Sequence, residues 1–260
     1  MTLSTAVSWL SGALLAALAL CGGAESRAGP RLFRPEPVLT IPHDPELYTQ
    51  GLELRDGILY ESSGGYGRST LSMLEPFDGS LLRSVELGAS IFAEGLTFHG
   101  DTGYLLTWRS GLVFLFDPED LSFTDTLSIT TEGWGICSNG RELITSDGSA
   151  MLIYRAPSSM QPLDTVTASL GGVAQPGLNE LEWTDLGILA NQWGSNRLLL
   201  VDPTSGEIMA VLDLSALSER GLPGRDVMNG VAELENNRLL ITGKLWHSYY
   251  VLENPFEALR

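Results

Sequence analysis

The stretch from Gln50 to Ser62 reads QGLELRDGILYES and decides the fold. Two short apolar segments flank Asp56-Gly57, a pattern that predicts two strands joined by a tight turn. Past Arg34 the whole chain is built in this way, as short apolar runs broken by Gly, Asp-Gly, Asn-Gly and Pro, with no long segment of helical period. The sequence therefore predicts an all-β protein.

The opening triplet of this stretch is a polar residue, then Gly or its equivalent, then an apolar residue, and it recurs along the chain. Its five copies begin at Gln50, Glu94, Glu132, Asn179 and Asn229. These starting points are spaced 38 to 50 residues apart, and a four-stranded blade of a β-propeller takes roughly 40 to 50 residues. We therefore predict that residues 35–260 form one five-bladed β-propeller domain with four-stranded blades.

The last unit lacks a fourth strand, because only a few residues follow Pro255. The unassigned segment Pro37 to Ile41 is predicted to fill this place by pairing with the strand around Tyr249 to Leu252. Such pairing ties the two ends of the chain together and leaves no open sheet edge. The segment from Leu217 to Asp226 is rich in Gly, Pro and charge, and we interpret it as a long loop and a candidate lid.

The N-terminus has the pattern of an export signal. Residues 1–24 carry no charge, and the small-residue and leucine run from Gly12 to Leu20 is typical of a signal peptide. The residues before Cys21 resemble a lipoprotein processing site, although Leu20 replaces the small residue preferred there. We interpret residues 1–24 as a signal peptide or membrane-targeting segment and residues 25–34 as a linker. The protein is expected to be periplasmic or secreted, with a lipid anchor on Cys21 left open.

Charge and rare residues exclude several kinds of partner. With 32 acidic and 15 basic residues the net charge is −17, so we expect binding neither to nucleic acid nor to an anionic membrane. Only Cys21 and Cys137 are present, which predicts no structural disulfide and makes Cys137 a small buried hydrophobe. The spacing of His43, His99 and His247 indicates no metal site. We expect a monomer without a cofactor and leave a structural cation in the channel open.

In a propeller the innermost strands line a central channel, and their first residues converge at one mouth. The five triplets would bring Gln50, Glu94, Glu132, Asn179 and Asn229 to one ring, with Trp108, Trp134, Trp193 and Lys244 beside them. Taken alone, each tryptophan is more often a core residue, and each carboxylate more often binds backbone amides. Their coincidence across the units predicts a pocket with apolar walls and a polar floor.

Nine segments resemble, in order, those of the plant-type glutaminyl-peptide cyclotransferases. They are YTQGL, FAEGLT, LLTW, EGWG, SDGS, LNELE, NQW, MNGVA and TGK, and they run from Tyr48 to Lys244. The resemblance implies a five-bladed propeller enzyme. It also implies a reaction in which the α-amine of a peptide attacks the side-chain amide of its own N-terminal glutamine, closes pyroglutamate and releases ammonia.

The resemblance also implies roles for particular residues. Glu94 would be the proton shuttle, since a carboxylate walled by indoles has a raised pKa. Trp108, Trp134 and Trp193 would form a hydrophobic box around the substrate. Gln50, Asn179 and Lys244 would make the polar contacts, with Lys244 or an amide side chain stabilising the developing oxyanion. Tyr48 stands where the family often has Phe and is expected to contact the substrate.

Two other functions stay open on the residues alone. A propeller lactonase would use Glu94, Asn179, Asp147 and Asn229 to hold a calcium ion in the channel, although three tryptophans would add little to such a site. A non-catalytic propeller would use the same ring only to bind peptides.

Overall fold

The computed structural model describes residues 29–219 and 226–259. The chain starts with the short strands β1 (Arg31–Phe33) and β2 (Leu39–Pro42). Blade 1 contains β3 (Thr49–Arg55), β4 (Ile58–Ser63), β5 (Thr70–Leu74) and β6 (Leu81–Glu86). Blade 2 contains β7 (Ala93–His99), β8 (Thr102–Thr107), β9 (Leu112–Phe116) and β10 (Phe123–Ser128).

Blade 3 contains β11 (Ile136–Ser138), β12 (Leu143–Thr145), β13 (Met151–Arg155) and β14 (Pro162–Thr167). The hairpin of β15 (Ser169–Leu170) and β16 (Val173–Ala174) leads to blade 4. Blade 4 contains β17 (Leu178–Thr184), β18 (Gly187–Gln192), β19 (Arg197–Val201) and β20 (Ile208–Asp213). Blade 5 contains β21 (Met228–Leu234), β22 (Arg238–Gly243) and β23 (Ser248–Glu253), and a 3₁₀-helix over Pro255–Leu259 ends the described chain.

The five sheets surround one channel, because the innermost strands β3, β7, β11, β17 and β21 are neighbours in a closed ring. Five hydrophobic clusters fill the five spaces between adjacent blades. The cluster between blades 5 and 1, for example, packs Leu52 and Leu59 against Leu240 and Tyr249. The predicted five-bladed propeller with four-stranded blades is therefore confirmed.

The ring closes through the N-terminal segment. Strand β2 pairs antiparallel with β23, with Leu39 opposite Val251 and Ile41 opposite Tyr249, which confirms the predicted pairing. Strand β1 adds to blade 4 in parallel with β20. Part of the segment expected to be a linker, residues 25–34, thus forms a fifth strand in that sheet.

Each inner strand begins with an irregular pairing that sets the ring at the channel mouth. In blades 1, 2, 4 and 5 the register shifts at the triplet, so that Gln50, Glu94, Asn179 and Asn229 lie in the irregular step. In blade 3 the equivalent step lies at Trp134 and Gly135, whose backbone groups bond to Ser146. Trp134 therefore takes the ring position predicted for Glu132, and the predicted triplet of blade 3 was wrong by two residues.

Close approach between blades explains this register. A Cβ atom added to Gly95 would lie 2.8 Å from the Trp134 carbonyl oxygen, and one added to Gly135 would collide with the Asn179 carbonyl. Neighbouring inner strands thus touch at these glycines. The residue before the glycine enters the ring whether it is polar or aromatic.

Some predictions concern residues that the structure does not describe. Residues 1–24, and with them Cys21, lie outside the described residues, as do residues 220–225 of the candidate lid. Within residues 29–219 and 226–259, no helix has the length and apolar character needed to cross a membrane. Cys137 is a free, buried thiol, as predicted.

Candidate active site

A cavity of about 430 Å³ opens at the mouth where the inner strands begin. Its lining contains all eight predicted site residues: Tyr48, Gln50, Glu94, Trp108, Trp134, Asn179, Trp193 and Lys244. Two further residues, Arg68 and Phe92, complete the wall. Residues from all five blades therefore converge on one site, although they are spread over almost 200 positions of sequence.

Glu94 forms the buried polar floor together with Gln50. Both side chains are almost fully buried, and Gln50 Nε2 donates a hydrogen bond of 3.2 Å to Glu94 Oε1. Burial raises the pKa of Glu94 well above its ordinary value, the charge of Lys244 opposes this, and the charge of Glu132 adds to it. The protonated form of Glu94 is therefore favoured more than that of an exposed glutamate.

Asn179 and Asn229 have different positions around this floor. Asn179 lines the cavity, and its buried Oδ1 accepts no hydrogen bond from the described residues. Asn229 lies behind the floor, where its Nδ2 donates to the backbone carbonyls of Thr49 and Gln50 at 3.1 and 3.2 Å. Asn179 thus leaves an acceptor for a ligand, whereas Asn229 holds the start of β3.

Lys244 supplies positive charge to the same cavity. Its ammonium lies 4.8 Å from the centre of the Tyr48 ring. Burial lowers the pKa of Lys244, while the charges of Glu94 and Asp226 raise it and so offset part of that effect. Tyr48 is fixed in turn, because its hydroxyl donates to Asp226 Oδ2 at 3.0 Å. Burial and the charge of Asp226 raise the pKa of Tyr48 to about 12, so the phenol stays neutral.

Two indoles of the wall are joined by one carboxylate. Trp108 Nε1 and Trp134 Nε1 donate to Glu132 Oε2 at 2.9 and 3.0 Å. Arg109 Nε donates to Glu132 Oε1 at 3.0 Å, and its guanidinium lies 3.8 Å from the centre of the Trp108 ring. The hydrogen bond from Trp134 is the main reason why the pKa of Glu132 is lowered. Glu132 thus lies outside the pocket and positions two of its walls.

Trp193 and Phe92 complete the aromatic wall. Trp193 packs edge-on against Trp134 at 6.1 Å and is 55% exposed, so one indole face borders solvent. Phe92 lies 5.4 Å from Trp108 and 6.3 Å from Tyr48 between ring centres. Phe92 precedes Glu94 by two residues, as Tyr48 precedes Gln50, so the internal repeat contains a signal that could have found it. Arg68 lies in the turn between β4 and β5, outside the repeated triplet.

The calcium set expected of a lactonase is not assembled at this pocket. Asp147 is not among the residues lining it, and its Oδ1 accepts hydrogen bonds from Ser149. Over the described part of the chain, no group of three or more His, Cys, Asp or Glu side chains is arranged to hold a metal ion. The positive charge facing Glu94 comes instead from Lys244.

The fold and the pocket define a class: a five-bladed propeller whose channel mouth holds a buried carboxyl with a raised pKa beside a lysine, inside a wall of indoles. The glutamine cyclotransferase family model matches residues 12–253. A glutaminyl-peptide cyclotransferase from Arabidopsis thaliana is 32% identical over 230 residues, which cover 86% of this chain and 72% of the relative. The crystal structure of Myxococcus xanthus glutaminyl cyclase matches with a TM-score of 0.80 and 32% identity, covering 86% of this chain and 97% of that one. The chain belongs to the glutamine cyclotransferase family.

Proposed function

We propose that the protein converts the N-terminal glutamine of peptides into pyroglutamate at this pocket, with Glu94 as the proton shuttle. The observation that carries the proposal is the state of Glu94. It is a buried carboxyl that, among the described residues, accepts a single hydrogen bond, from Gln50. Its pKa is raised, and it lines a cavity beside a lysine. A carboxyl whose pKa is raised is a stronger base when ionised, and such a group can act in general acid–base catalysis.

The reaction needs no nucleophile from the protein. The neutral α-amine of the substrate attacks the side-chain amide carbon, a C–N bond forms, and the carbonyl oxygen gains negative charge. The tetrahedral intermediate then expels the amide nitrogen. Glu94 takes a proton from the attacking amine and delivers one to the departing nitrogen, which leaves as ammonia. The protein therefore has to fold the glutamine side chain back, keep the amine neutral and move one proton.

The other pocket residues meet these demands. The ammonium of Lys244 can donate to the developing oxyanion. The unpartnered Oδ1 of Asn179 can accept from an N–H of the substrate, which would orient the attacking amine. The indoles of Trp108, Trp134 and Trp193 enclose the aliphatic part of glutamine, and their apolar faces disfavour the charged form of the amine.

Mass spectrometry and ammonia release with glutamine-initiated peptides test this function. We expect the purified protein to release one ammonia per peptide and to leave a blocked N-terminus. A lactonase would instead hydrolyse lactones and need calcium, and a binding protein would retain peptides without releasing ammonia.

Turnover should rise with pH through the ionisation of the amine, near pH 7.7 for a free terminus. A flat profile across that range would contradict attack by the neutral amine.

We also propose that the enzyme works as a monomer without a metal ion. The polar floor holds a proton donor and an ammonium in place of a Lewis acid, which supports this view. Activity is expected to survive treatment with phenanthroline or EDTA, and the protein is expected to elute at the size of a single chain. Loss of activity on chelation, restored by zinc or calcium, would overturn the metal-free mechanism.

We further propose that the protein is exported. The support is the uncharged residues 1–24, with their run from Gly12 to Leu20. Expression of the full chain followed by fractionation and N-terminal sequencing tests this. We expect a mature protein outside the cytoplasm whose N-terminus lies near Ala24, whereas an intact Met1 in the cytoplasmic fraction would contradict export. A lipid on Cys21 would appear as an added mass on the membrane-bound form.

A further inference from the structure

The mouth of the pocket differs from its floor. Glu94, Gln50 and Asn179 are buried, whereas Arg68 is exposed and Trp193 is more than half exposed at the rim. A peptide whose N-terminal glutamine reaches Glu94 must leave the pocket past this rim. The residue that follows the glutamine is therefore the part of the substrate that meets Arg68.

The turn that carries Arg68 places this residue at the rim of the pocket. It connects β4 to β5, and Arg68 N donates to the Gly65 carbonyl at 3.0 Å. Gly65 has φ of +132°, and a Cβ atom there would lie 2.5 Å from Arg68 Nε. The stem of the arginine thus lies across a position that only glycine can occupy. Its guanidinium carbon comes within 6.0 Å of the Tyr48 ring centre.

Arg68 also differs from the other cations near the pocket. Arg109 donates a hydrogen bond to Glu132, and the charge of Lys244 interacts with the charges of Glu94 and Asp226. No carboxylate of the described residues lies within ion-pair distance of Arg68, although the chain as a whole carries a charge of −17. An exposed guanidinium with no carboxylate partner among the described residues, at the exit of a substrate pocket, is placed to bind an anion that the ligand brings.

We propose that Arg68 makes the enzyme select peptides that carry a carboxylate on the residue directly after the N-terminal glutamine. This inference rests on the proposed cyclase function and names its substrate class. The guanidinium matches a carboxylate geometrically and can bind it through two parallel hydrogen bonds. The carboxylate can be the side chain of Asp or Glu at the second position, or the C-terminus of a dipeptide.

The expected size of the effect is set by exposure. Ion pairs at the protein surface change an equilibrium by up to about 5-fold, and salt weakens them. Replacing an acidic second residue with a basic one changes attraction into repulsion, so we expect kcat/KM to differ by about tenfold between the two peptides. The difference should shrink at high ionic strength.

The experiment compares kcat/KM for three amidated peptides, Gln-Glu-Ala, Gln-Ala-Ala and Gln-Lys-Ala, in the wild type, Arg68→Gln and Arg68→Glu. We expect the wild type to prefer Gln-Glu-Ala, Arg68→Gln to remove most of the preference, and Arg68→Glu to reverse it. Gln-Ala with a free or an amidated C-terminus distinguishes the two sources of the carboxylate. Arg141→Glu is the matched control, because it makes the same charge change in the turn between β11 and β12, on the opposite face of the propeller.

The outcomes separate the two proposals. Equal rates for the three peptides in a wild type that cyclises them would overturn the role of Arg68 and leave the cyclase function standing. The same change of preference in Arg141→Glu would also overturn it, since the effect would then belong to net charge. No ammonia from any peptide would overturn the cyclase function and, with it, the selection by Arg68. Circular dichroism of each variant confirms that the comparison is made between folded proteins.

Discussion

Glu61 and Glu94 are both buried glutamates of this propeller, yet their surroundings are opposite. Glu61, in β4, accepts from Thr49 Oγ1 at 2.6 Å, lies 3.0 Å from His43 Nε2, and accepts from the Tyr249 hydroxyl. Burial opposes ionisation of Glu61, but the charge and hydrogen bonds of these partners outweigh it, so its pKa is lowered. Among the described residues, the Glu94 carboxyl accepts one hydrogen bond, from Gln50, and its pKa is raised.

The comparison shows how the number of partners separates a structural carboxylate from a reactive one. A buried charge is stable only when its acceptor sites are filled. Both carboxylate oxygens of Glu61 have hydrogen-bond partners. Glu61 also helps to close the ring, because its partner His43 donates through Nδ1 to the Trp246 carbonyl at 2.8 Å. Among the described residues only Gln50 donates to the Glu94 carboxyl, which leaves acceptor positions that a substrate can use. The satisfied network lies just behind the pocket, since Thr49 precedes Gln50 and Trp246 follows Lys244 by two residues.

The largest effect on activity is expected from Glu94→Gln. The amide keeps the shape of the side chain and cannot shuttle a proton, so turnover should fall by about 10² to 10⁴. Substrate affinity should change much less, because contacts with the walls remain. Single-turnover kinetics and peptide binding separate the two quantities. Turnover close to that of the wild type would remove Glu94 from the proposed role.

Glu61→Gln is expected to give the opposite result. Removing one partner of a buried ion pair leaves His43 without its counter-charge, and such changes destabilise proteins by about 3–5 kcal/mol. Urea unfolding followed by circular dichroism measures the loss. The protein that remains folded should keep a turnover within a few-fold of the wild type. A large loss of turnover with unchanged stability would reverse the distinction drawn between the two glutamates.

A smaller effect is expected when Glu132 is changed, because this residue acts on the site from outside. Glu132→Ala removes the acceptor shared by Trp108 and Trp134, and we expect kcat/KM to fall by about tenfold, mainly through a higher KM, since each lost hydrogen bond is worth about 1 kcal/mol. Glu132→Gln keeps an acceptor but removes a charge that raises the pKa of Glu94. Its pH profile should therefore shift so that Glu94 loses its proton at lower pH.

Glu142→Ala, on the opposite face of the propeller, is the control for this pair of variants. It removes a carboxylate that pairs with Arg141 in the turn after β11. Neither KM nor the pH profile should move in this control. A pH profile of Glu132→Gln identical to that of the wild type would show that Glu132 only holds the indoles.

Much of this arrangement could be predicted from sequence because it repeats. The repeated triplets mark four of the five inner strands, three of them with a central glycine and one with Glu180, and Pro37 to Ile41 was identified as the closing strand because blade 5 lacked one. The error at Glu132 has a physical origin. Glu132-Gly133-Trp134 and Trp134-Gly135-Ile136 each have a central glycine, and the close packing of Gly135 against Asn179 makes the second triplet the start of the inner strand.

Other features depend on contacts that no short pattern encodes. Arg68 lines the pocket from the turn between β4 and β5, where it lies beside Gly65 with its φ of +132°. The partners of Glu61 come from residues 43, 49 and 249, which meet only when the ring closes. The sequence around a buried glutamate in a strand therefore does not show whether its carboxylate has all its hydrogen-bond partners or is left available to react.

The smallest expected effect is the pH dependence of stability that the His43–Glu61 pair contributes. Burial by itself lowers the pKa of His43. The charge of Glu61, its hydrogen bond, the Trp246 carbonyl and the charge of Asp44 raise this pKa by more than burial lowers it, so that it lies above 6.5. A histidine whose pKa is raised in the folded state stabilises the fold fully below its unfolded pKa of 6.5. This contribution disappears as pH rises through the folded pKa. The lowered pKa of Glu61 gives stability that is present above about 4.5 and disappears as pH falls through its folded pKa.

The two contributions overlap between about pH 4.5 and 6.5, where the pair is ionised in the folded protein and stabilises it most. The difference in free energy of unfolding between the wild type and His43→Gln isolates this effect from the other buried carboxylates, since those are common to both proteins. We expect the difference to be largest near pH 5.5 and to decrease above pH 6.5, as the wild type loses the proton on His43. A difference that stays constant from pH 5 to pH 9, or that grows with pH, would mean that His43 is neutral in the folded protein. Glu61 would then be held by Thr49 and Tyr249 alone, and its contrast with Glu94 would rest on hydrogen bonds without a counter-charge.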